Sequence, residues 1–371
     1  MNDTAKLLST LIKMPHVEDV INFLYKQFIS LGFNAEILSF HGIHNLYAHK
    51  NVNDCTAQQE AANNSKILLF LGHADVVPIG ASQKHPAGTL INDNIWGRGA
   101  VDMKGSISCC MSALRQNSDV SIAVIISGDE EGSAEFGTPA VLNLLRSQKR
   151  LPVFDFVLIG EPTSYEEIGD HIKIGCRGSM NVSISAEGVS GHVAYPAYCI
   201  NPVTKLVELV YELNLLAQTS GHYNIEVFSI YSNSGATNVV PSWAKCCFNI
   251  RFDENISANE LINIIETISG KQNNIQWHFT YDVACQPFMS RPDPLFDILI
   301  NATMQVTRQQ PQVSSKGANS DAKFIKDIAP FAELGLKTCD AHKIDEKVSL
   351  QDLYTLTKIY DQFLQNWQNA T

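Results

Sequence analysis

The chain has 371 residues, of which 45% are hydrophobic and 18% charged, the balance of a soluble globular protein with room for two domains. Its 27 basic and 38 acidic residues leave a formal net charge of −11, which argues against nucleic acid or an anionic membrane surface as a partner. No apolar run approaches the ~18 residues a membrane span needs, and Met1–Ser30 carries no signal pattern. Nine scattered cysteines without a C-x-x-C pair predict reduced, mostly buried thiols and a cytoplasmic protein.

In chain order, apolar spacing at Leu7, Leu8, Leu11 and Ile12, then at Val20, Phe23, Leu24, Phe28 and Leu31, predicts two helices separated by Pro15 and stopped at Gly32. Strands are expected at Ala35–Phe40 and Asn45–His49, then a polar surface loop over 50–65. Lys66–Leu71 reads as a buried strand running into Gly72-His73-Ala74-Asp75. A long loop with Pro78, Pro86 and Gly88 leads to Gly97-Arg98-Gly99-Ala100-Val101-Asp102, and a helix is expected over Ser106–Arg115. The apolar run Ile122–Ile126 reads as a second buried strand, ending in Gly128-Asp129-Glu130-Glu131-Gly132. A helix over Thr138–Ser147 precedes another buried strand, Phe154–Ile159, which ends in Gly160-Glu161.

Apolar strands alternating with helices predict an α/β domain with a mostly parallel sheet flanked by helices. In open sheets of this kind the ligand crevice lies outside the carboxyl ends of the strands, so His73, Asp75, Glu130, Glu131 and Glu161 are expected to converge. Adjacent acids at a buried strand end repel one another and lose hydration, and no basic residue follows until Arg146. A bound cation would relieve that cost. A solvated acidic turn is the plain alternative.

Beyond about residue 176, strands at Ser179–Glu187, Asn224–Ile230, Ala244–Phe252 and Ile275–Val283 interleave with helices at Pro202–Ala217 and Ala258–Gly270. This is the order of a ferredoxin-like α+β domain inserted into the first. Arg291-Pro292-Asp293-Pro294 marks the return, followed by a helix (Leu295–Arg308), a loop (311–321), a strand (Ala329–Leu334) and a closing helix (Leu350–Gln365).

Two local patterns mislead. Gly97-x-Gly99 lacks the third glycine and the preceding strand of a dinucleotide loop, so its glycines are read as allowing close backbone approach. Ser190 lacks the last glycine of G-x-S-x-G and is rejected as a nucleophile. Asp102 could cap the helix that follows it, or bridge two cations through its two oxygens.

Taken together, Gly72-His73-x-Asp75-Val76-Val77-Pro78-x-Gly80, Gly97-Arg98-Gly99-Ala100-x-Asp102-Met103-Lys104-Gly105, Asp129-Glu130-Glu131-Gly132 and Gly160-Glu161-Pro162-Thr163 resemble the di-zinc aminoacylase and carboxypeptidase superfamily. Gly175-Cys176-Arg177-Gly178-Ser179, Gly191-His192-Val193-Ala194-Tyr195-Pro196, Asn238-Val239-Val240-Pro241, Ser320-Asp321-x-x-Phe324-Ile325 and Ala341-His342-Lys343 resemble, within it, the succinyl-diaminopimelate desuccinylases. The resemblance implies a catalytic di-metal domain of residues 1–177 and 289–371, and an inserted dimerisation domain of 178–288.

It implies that His73 and Glu161 hold one zinc and Glu131 and His342 the other, with cobalt or manganese also possible. Asp102 would bridge the two, with a cis peptide to Met103. Asp75 would orient His73, Glu130 would act as general base and acid, and His192 of a partner subunit would stabilise the oxyanion. Arg177, Tyr195, Asn238, Arg251 and Asn319 would bind a small anionic N-acyl amino acid. A homodimer follows from the same resemblance. Acetylornithine deacetylases and dipeptidases of the superfamily, or a non-catalytic metabolite-binding protein, are the alternatives. The chain departs from the family pattern at Ser82–Gly88, Gly317-Ala318-Asn319 and Gly335-Leu336-Lys337-Thr338, and none of these changes removes a ligand position.

Overall fold

The computed structural model describes residues 3–52, 66–78 and 84–370. Most of the polar 50–65 loop, and Gly80, Ser82 and Gln83 of the stretches discussed above, lie outside the described residues. The chain forms two compact units, Met1–Gly175 with Ser290–Thr371, and Cys176–Met289.

In the first unit, helices α1 (Asp3–Lys13) and α2 (Val17–Ser30) precede strands β1 (Asn34–Phe40), β2 (Ile43–Lys50) and β3 (Leu68–His73). Helix α3 (Lys104–Gln116), β4 (Ile122–Ser127), α4 (Thr138–Ser147), β5 (Phe156–Ile159) and β6 (His171–Lys173) follow, and β7 (Gln312–Ser314) and β8 (Phe331–Glu333) come after the second unit. The eight strands form one sheet in the order β1-β2-β4-β3-β5-β8-β6-β7.

Its centre, β4-β3-β5-β8, is parallel. β2 runs antiparallel to β4, and β6 antiparallel to β8. Every residue of β3, β4 and β5 is buried, which explains why they read as continuous apolar runs: helices cover both faces of the sheet. The closing helix, Leu350–Asn369, buries Leu353, Leu356, Tyr360, Phe363, Leu364 and Trp367, a stripe at spacings of three and four.

The structure corrects the expected outline in short elements. The loop expected over 311–321 contains β7, and β6 was not anticipated. The long loop before Trp96 holds a hairpin, Thr89–Ile91 and Asn94–Trp96, turned by Asn92 and Asp93 with φ of 49° and 58°. Lys347–Ser349 adds a third strand to that hairpin. Elements three residues long show too little alternation to register as a pattern.

The second unit is an antiparallel sheet in the order 223–231, 243–252, 178–187, 276–285, with helices Pro202–Ser220 and Ala258–Gly270. Met180, Val182, Ile184 and Ala186 face Ile250, Phe248, Cys246 and Ala244 in register, all of them buried. A Ser257–Glu260 capping box starts the second helix.

Candidate metal centre

The parallel strands β3, β4 and β5 end side by side, and the side chains just beyond them meet. His73 is the last residue of β3 and is 1% exposed. Its Nδ1 lies 3.0 Å from the Asp75 backbone oxygen, which can only accept, so the proton sits on Nδ1 and Nε2 is left facing the cluster. Nε2 is 3.0 Å from Asp102 Oδ1 and 3.7 Å from Glu161 Oε1.

His342 approaches Asp102 from the other side. Its Nε2 is 3.0 Å from Asp102 Oδ2 and 2.9 Å from Glu131 Oε1. Two donor groups therefore share Asp102: His73, Asp102 and Glu161, and Asp102, Glu131 and His342, the donor atoms of each lying within 4.8 Å of one another.

The chain does turn back after β3, but not to present the Asp75 carboxylate squarely to His73. Asp75 Oδ1 is 3.6 Å from the ring, whereas Oδ2 accepts from the backbone amides of Glu130 (3.0 Å) and Glu131 (2.8 Å). Asp75 thus fixes the acidic turn and its backbone carbonyl orients the imidazole. Asp129 takes no part in the cluster: its carboxylate accepts from the amides of Ser133 and Phe136, both at 3.1 Å. The two glutamates are left free to project.

Asp102 stands at the end of a loop in which Gly97 and Gly99 have φ of 141° and 82°, conformations that glycine adopts without a Cβ clash. The Asp102–Met103 peptide is cis.

The electrostatics show a shortage of positive charge. Burial pushes Glu161 well up from the usual carboxylate range, with the Asp102 charge adding to it. Glu130 is raised to about 7 by burial and by Asp321, Glu131 and Asp102, against the pull of His73. Burial also raises Glu131. Asp102 would be raised by burial, but hydrogen bonds from His342 and His73 hold it well below its ordinary value. His342 is raised to about 9, chiefly by Asp102. Four carboxylates against two imidazoles is a donor set that divalent cations would neutralise, and mixed His and carboxylate ligation suits them.

A pocket of about 270 Å³ adjoins the cluster, lined by Asp102, Glu161 and His342 together with Tyr165, Lys173 and Lys316. Asn319 lies half-buried in the loop that borders it, next to Ala318, whose carbonyl accepts from Lys173 Nζ at 2.7 Å. The other expected binding residues belong to the second unit. There Arg177 donates to Asn224 Oδ1 at 2.9 Å, and Arg251 pairs in register with Ser179 and Asn224. His192 Nδ1 accepts from the Ala194 amide at 3.1 Å, Tyr195 is exposed, and the Asn238 carbonyl accepts from the Val193 amide at 3.0 Å.

Glu346 escaped the sequence reading, and Arg98 stands there in a motif without a role. Glu346 is fully buried, and Arg98 donates to its Oε2 at 3.0 Å. No local pattern marks a lone glutamate four residues after His342. Its burial is the signal, and burial of a charge is not visible in sequence.

The profile of peptidase family M20/M25/M40 matches residues 69–366. The chain belongs to this family. Among curated M20 relatives, a succinyl-diaminopimelate desuccinylase of Ehrlichia canis is 38% identical over 391 residues, covering 100% of this chain and 99% of that protein. One of Ehrlichia chaffeensis is 35% identical, also over 100% of this chain and 99% of its own length. Among solved M20-like folds, a Staphylococcus aureus tripeptidase superposes with a TM-score of 0.75 at 16% identity, over 99% of this chain and 98% of that one. Family membership makes the chain a metal-dependent hydrolase of the M20 type, and the clustered His and acidic side chains are its candidate ligands.

Proposed function

We propose that the chain is a cytoplasmic, homodimeric, zinc-dependent amide hydrolase that removes succinate from N-succinyl-L,L-2,6-diaminopimelate. One observation carries the metal part of this reading: Asp102 offers one oxygen to each of two histidine–carboxylate groups. The substrate part is supported by full-length relatives named for that reaction. His73, Asp102 and Glu161 would hold one ion and Asp102, Glu131 and His342 the other, with zinc favoured and cobalt or manganese compatible.

Ions held by these residues would supply Lewis acidity, polarising the amide carbonyl and lowering the pKa of the attacking water. Glu130 then takes a proton from the attacking water and delivers it to the leaving amine as the C–N bond breaks, giving succinate and L,L-diaminopimelate. His192, supplied by a partner subunit, hydrogen-bonds the developing oxyanion. Arg177 and Arg251 suit the substrate carboxylates through their planar forks, with Tyr195, Asn238 and Asn319 as further contacts. Lys316 brings positive charge to the pocket beside the cluster.

The test combines metal content with a substrate panel. Two divalent ions per chain, loss of turnover on chelation and recovery on zinc addition are expected, with the succinyl compound preferred over N-acetylornithine and dipeptides. A preference for either rival would replace the substrate, and full activity in the chelated protein would refute the metal.

The second unit supports the dimer. Its strand 223–231 is a sheet edge with Phe228 66% exposed, and Val207, Tyr211 and Leu215 form an exposed stripe on helix 202–220 at a spacing of four. Edge-to-edge pairing about a twofold axis would cover both. The parent chain is expected to run at about twice its 41.0 kDa mass by light scattering. Tyr211→Glu with Leu215→Glu should give a folded monomer whose kcat falls at least a hundredfold, because each site loses its partner's His192. A fully active monomer would refute the shared site.

A further inference from the structure

The loop that delivers Asp102 is gripped from a distant part of the chain. Glu346 Oε2 accepts from the Gly99 amide at 3.0 Å and from Arg98 at 3.0 Å. Its Oε1 accepts from the amides of Val101 at 2.8 Å and Asp102 at 3.1 Å. The Glu346 backbone carbonyl accepts from Gly97 at 2.8 Å. Arg98 reaches back to the carbonyl of His342 at 3.3 Å, at a residue whose φ is +61°. The pairing of Lys347–Ser349 with Asn94–Trp96 brings the two segments together.

A fully buried carboxylate that spends both oxygens on one loop is costly to place unless every contact is made. All its contacts converge on residues 98–102, the segment that carries Asp102, and Arg98 alone links that segment to the main chain of His342. We infer that Glu346 and Arg98 form a clamp that sets the spacing between Asp102 and His342, and so tunes the affinity of the site for divalent cations. Glu346 fixes the direction in which Asp102 leaves the loop. Arg98 couples that loop to the main chain of His342. Both are positioning residues and touch no substrate. The inference rests on the metal-binding reading above and adds to it the residues that keep the site in shape.

Titration of the chelated, full-length protein with Co²⁺, followed by calorimetry and visible absorption, tests the clamp without reference to turnover. Glu346→Gln puts an amide NH₂ where either backbone amides or Arg98 must be accepted, and should weaken both ions about 10–100-fold, the usual effect of losing a partner of a ligand. Arg98→Lys keeps the charge beside Glu346 but is too short to hold the His342 carbonyl. It should weaken one ion, that of the His342 group, at least tenfold and leave the other unchanged. Its thermal midpoint reports folding, and should Glu346→Gln fail to fold, Arg98→Lys decides alone. Parent-like affinities at both sites in folded Arg98→Lys would overturn the clamp. A parent chain that binds no Co²⁺ would instead overturn the metal reading itself.

Discussion

Glu130→Gln is expected to lower kcat by about a thousandfold or more while two divalent ions remain bound to each chain. The separation of effects follows from the turn that carries Glu130. Asp75 Oδ2 accepts from both the Glu130 and the Glu131 amides, which pins the backbone of two successive residues. Glu131 goes to His342, at 2.9 Å. Glu130 stays 4.0 Å from His73 Nε2, outside hydrogen-bond reach, in a half-buried position among acids. A carboxylate there accepts no side-chain hydrogen bond among the described residues and can accept and return a proton.

General acid–base catalysis typically contributes 10²–10⁴-fold, and ~1.4 kcal/mol per factor of ten puts the loss at about 4 kcal/mol for a thousandfold fall. The amide introduced by Glu130→Gln would keep the volume and remove the proton chemistry. Metal analysis and single-turnover kinetics on the same preparation check both halves. Glu131→Gln is the contrast, since it should lose the ion of the His342 group. Parent-rate turnover by Glu130→Gln would remove Glu130 from the mechanism.

What sequence could disclose was governed by burial. β3, β4 and β5 lie under helices on both faces, so their apolar runs were plain, and the small residue plus His or acid beyond each strand pointed to one edge of the sheet. The second unit was legible because alternation in strands such as 178–187 extends over ten residues. The three-residue strands 171–173 and 312–314 pair with each other at one end of the sheet, and three residues are too few to show a period. Asn92-Asp93 was a usable hairpin signal, but the flanking strands are only three residues long and show no alternation.

At the cluster, sequence spacing suggested an Asp75–His73 carboxylate pair, and Asp75 Oδ1 does lie 3.6 Å from His73 Nδ1, but the direction of the other oxygen depends on which amides lie opposite, and those belong to residues 130 and 131. Glu346 acts on Arg98 across 248 positions of chain, so it leaves no local trace, and Arg98 stands in a quoted motif without any sign of its partner.

Asp102→Ala should have the largest effect on metal content. The loss of Glu161 or Glu131 deprives one donor group, whereas Asp102 belongs to both, and its two oxygens each stand 3.0 Å from a different histidine. Its removal leaves His73 and Glu161 as one pair and Glu131 and His342 as another, each short of a ligand, and also removes the charge that brings the pairs together. Equilibrium dialysis against zinc should then recover less than one ion per chain, and turnover should fall at least 10⁴-fold.

Stability supplies an independent readout. A ligand that binds only the folded chain stabilises it by about 2.7 kcal/mol when present at a hundred times its Kd, so zinc should raise the thermal midpoint of the chelated parent by several degrees. The same addition should leave Asp102→Ala almost unmoved. The chelated variant should also melt below the chelated parent, because it loses the hydrogen bonds that Asp102 shares with His342 and His73, and Asp102 is the chief group raising the pKa of His342. Two zinc ions bound by Asp102→Ala, with a parent-sized shift in midpoint, would mean that the two groups do not depend on a common carboxylate, and the bridged arrangement would have to be abandoned in favour of two independent sites.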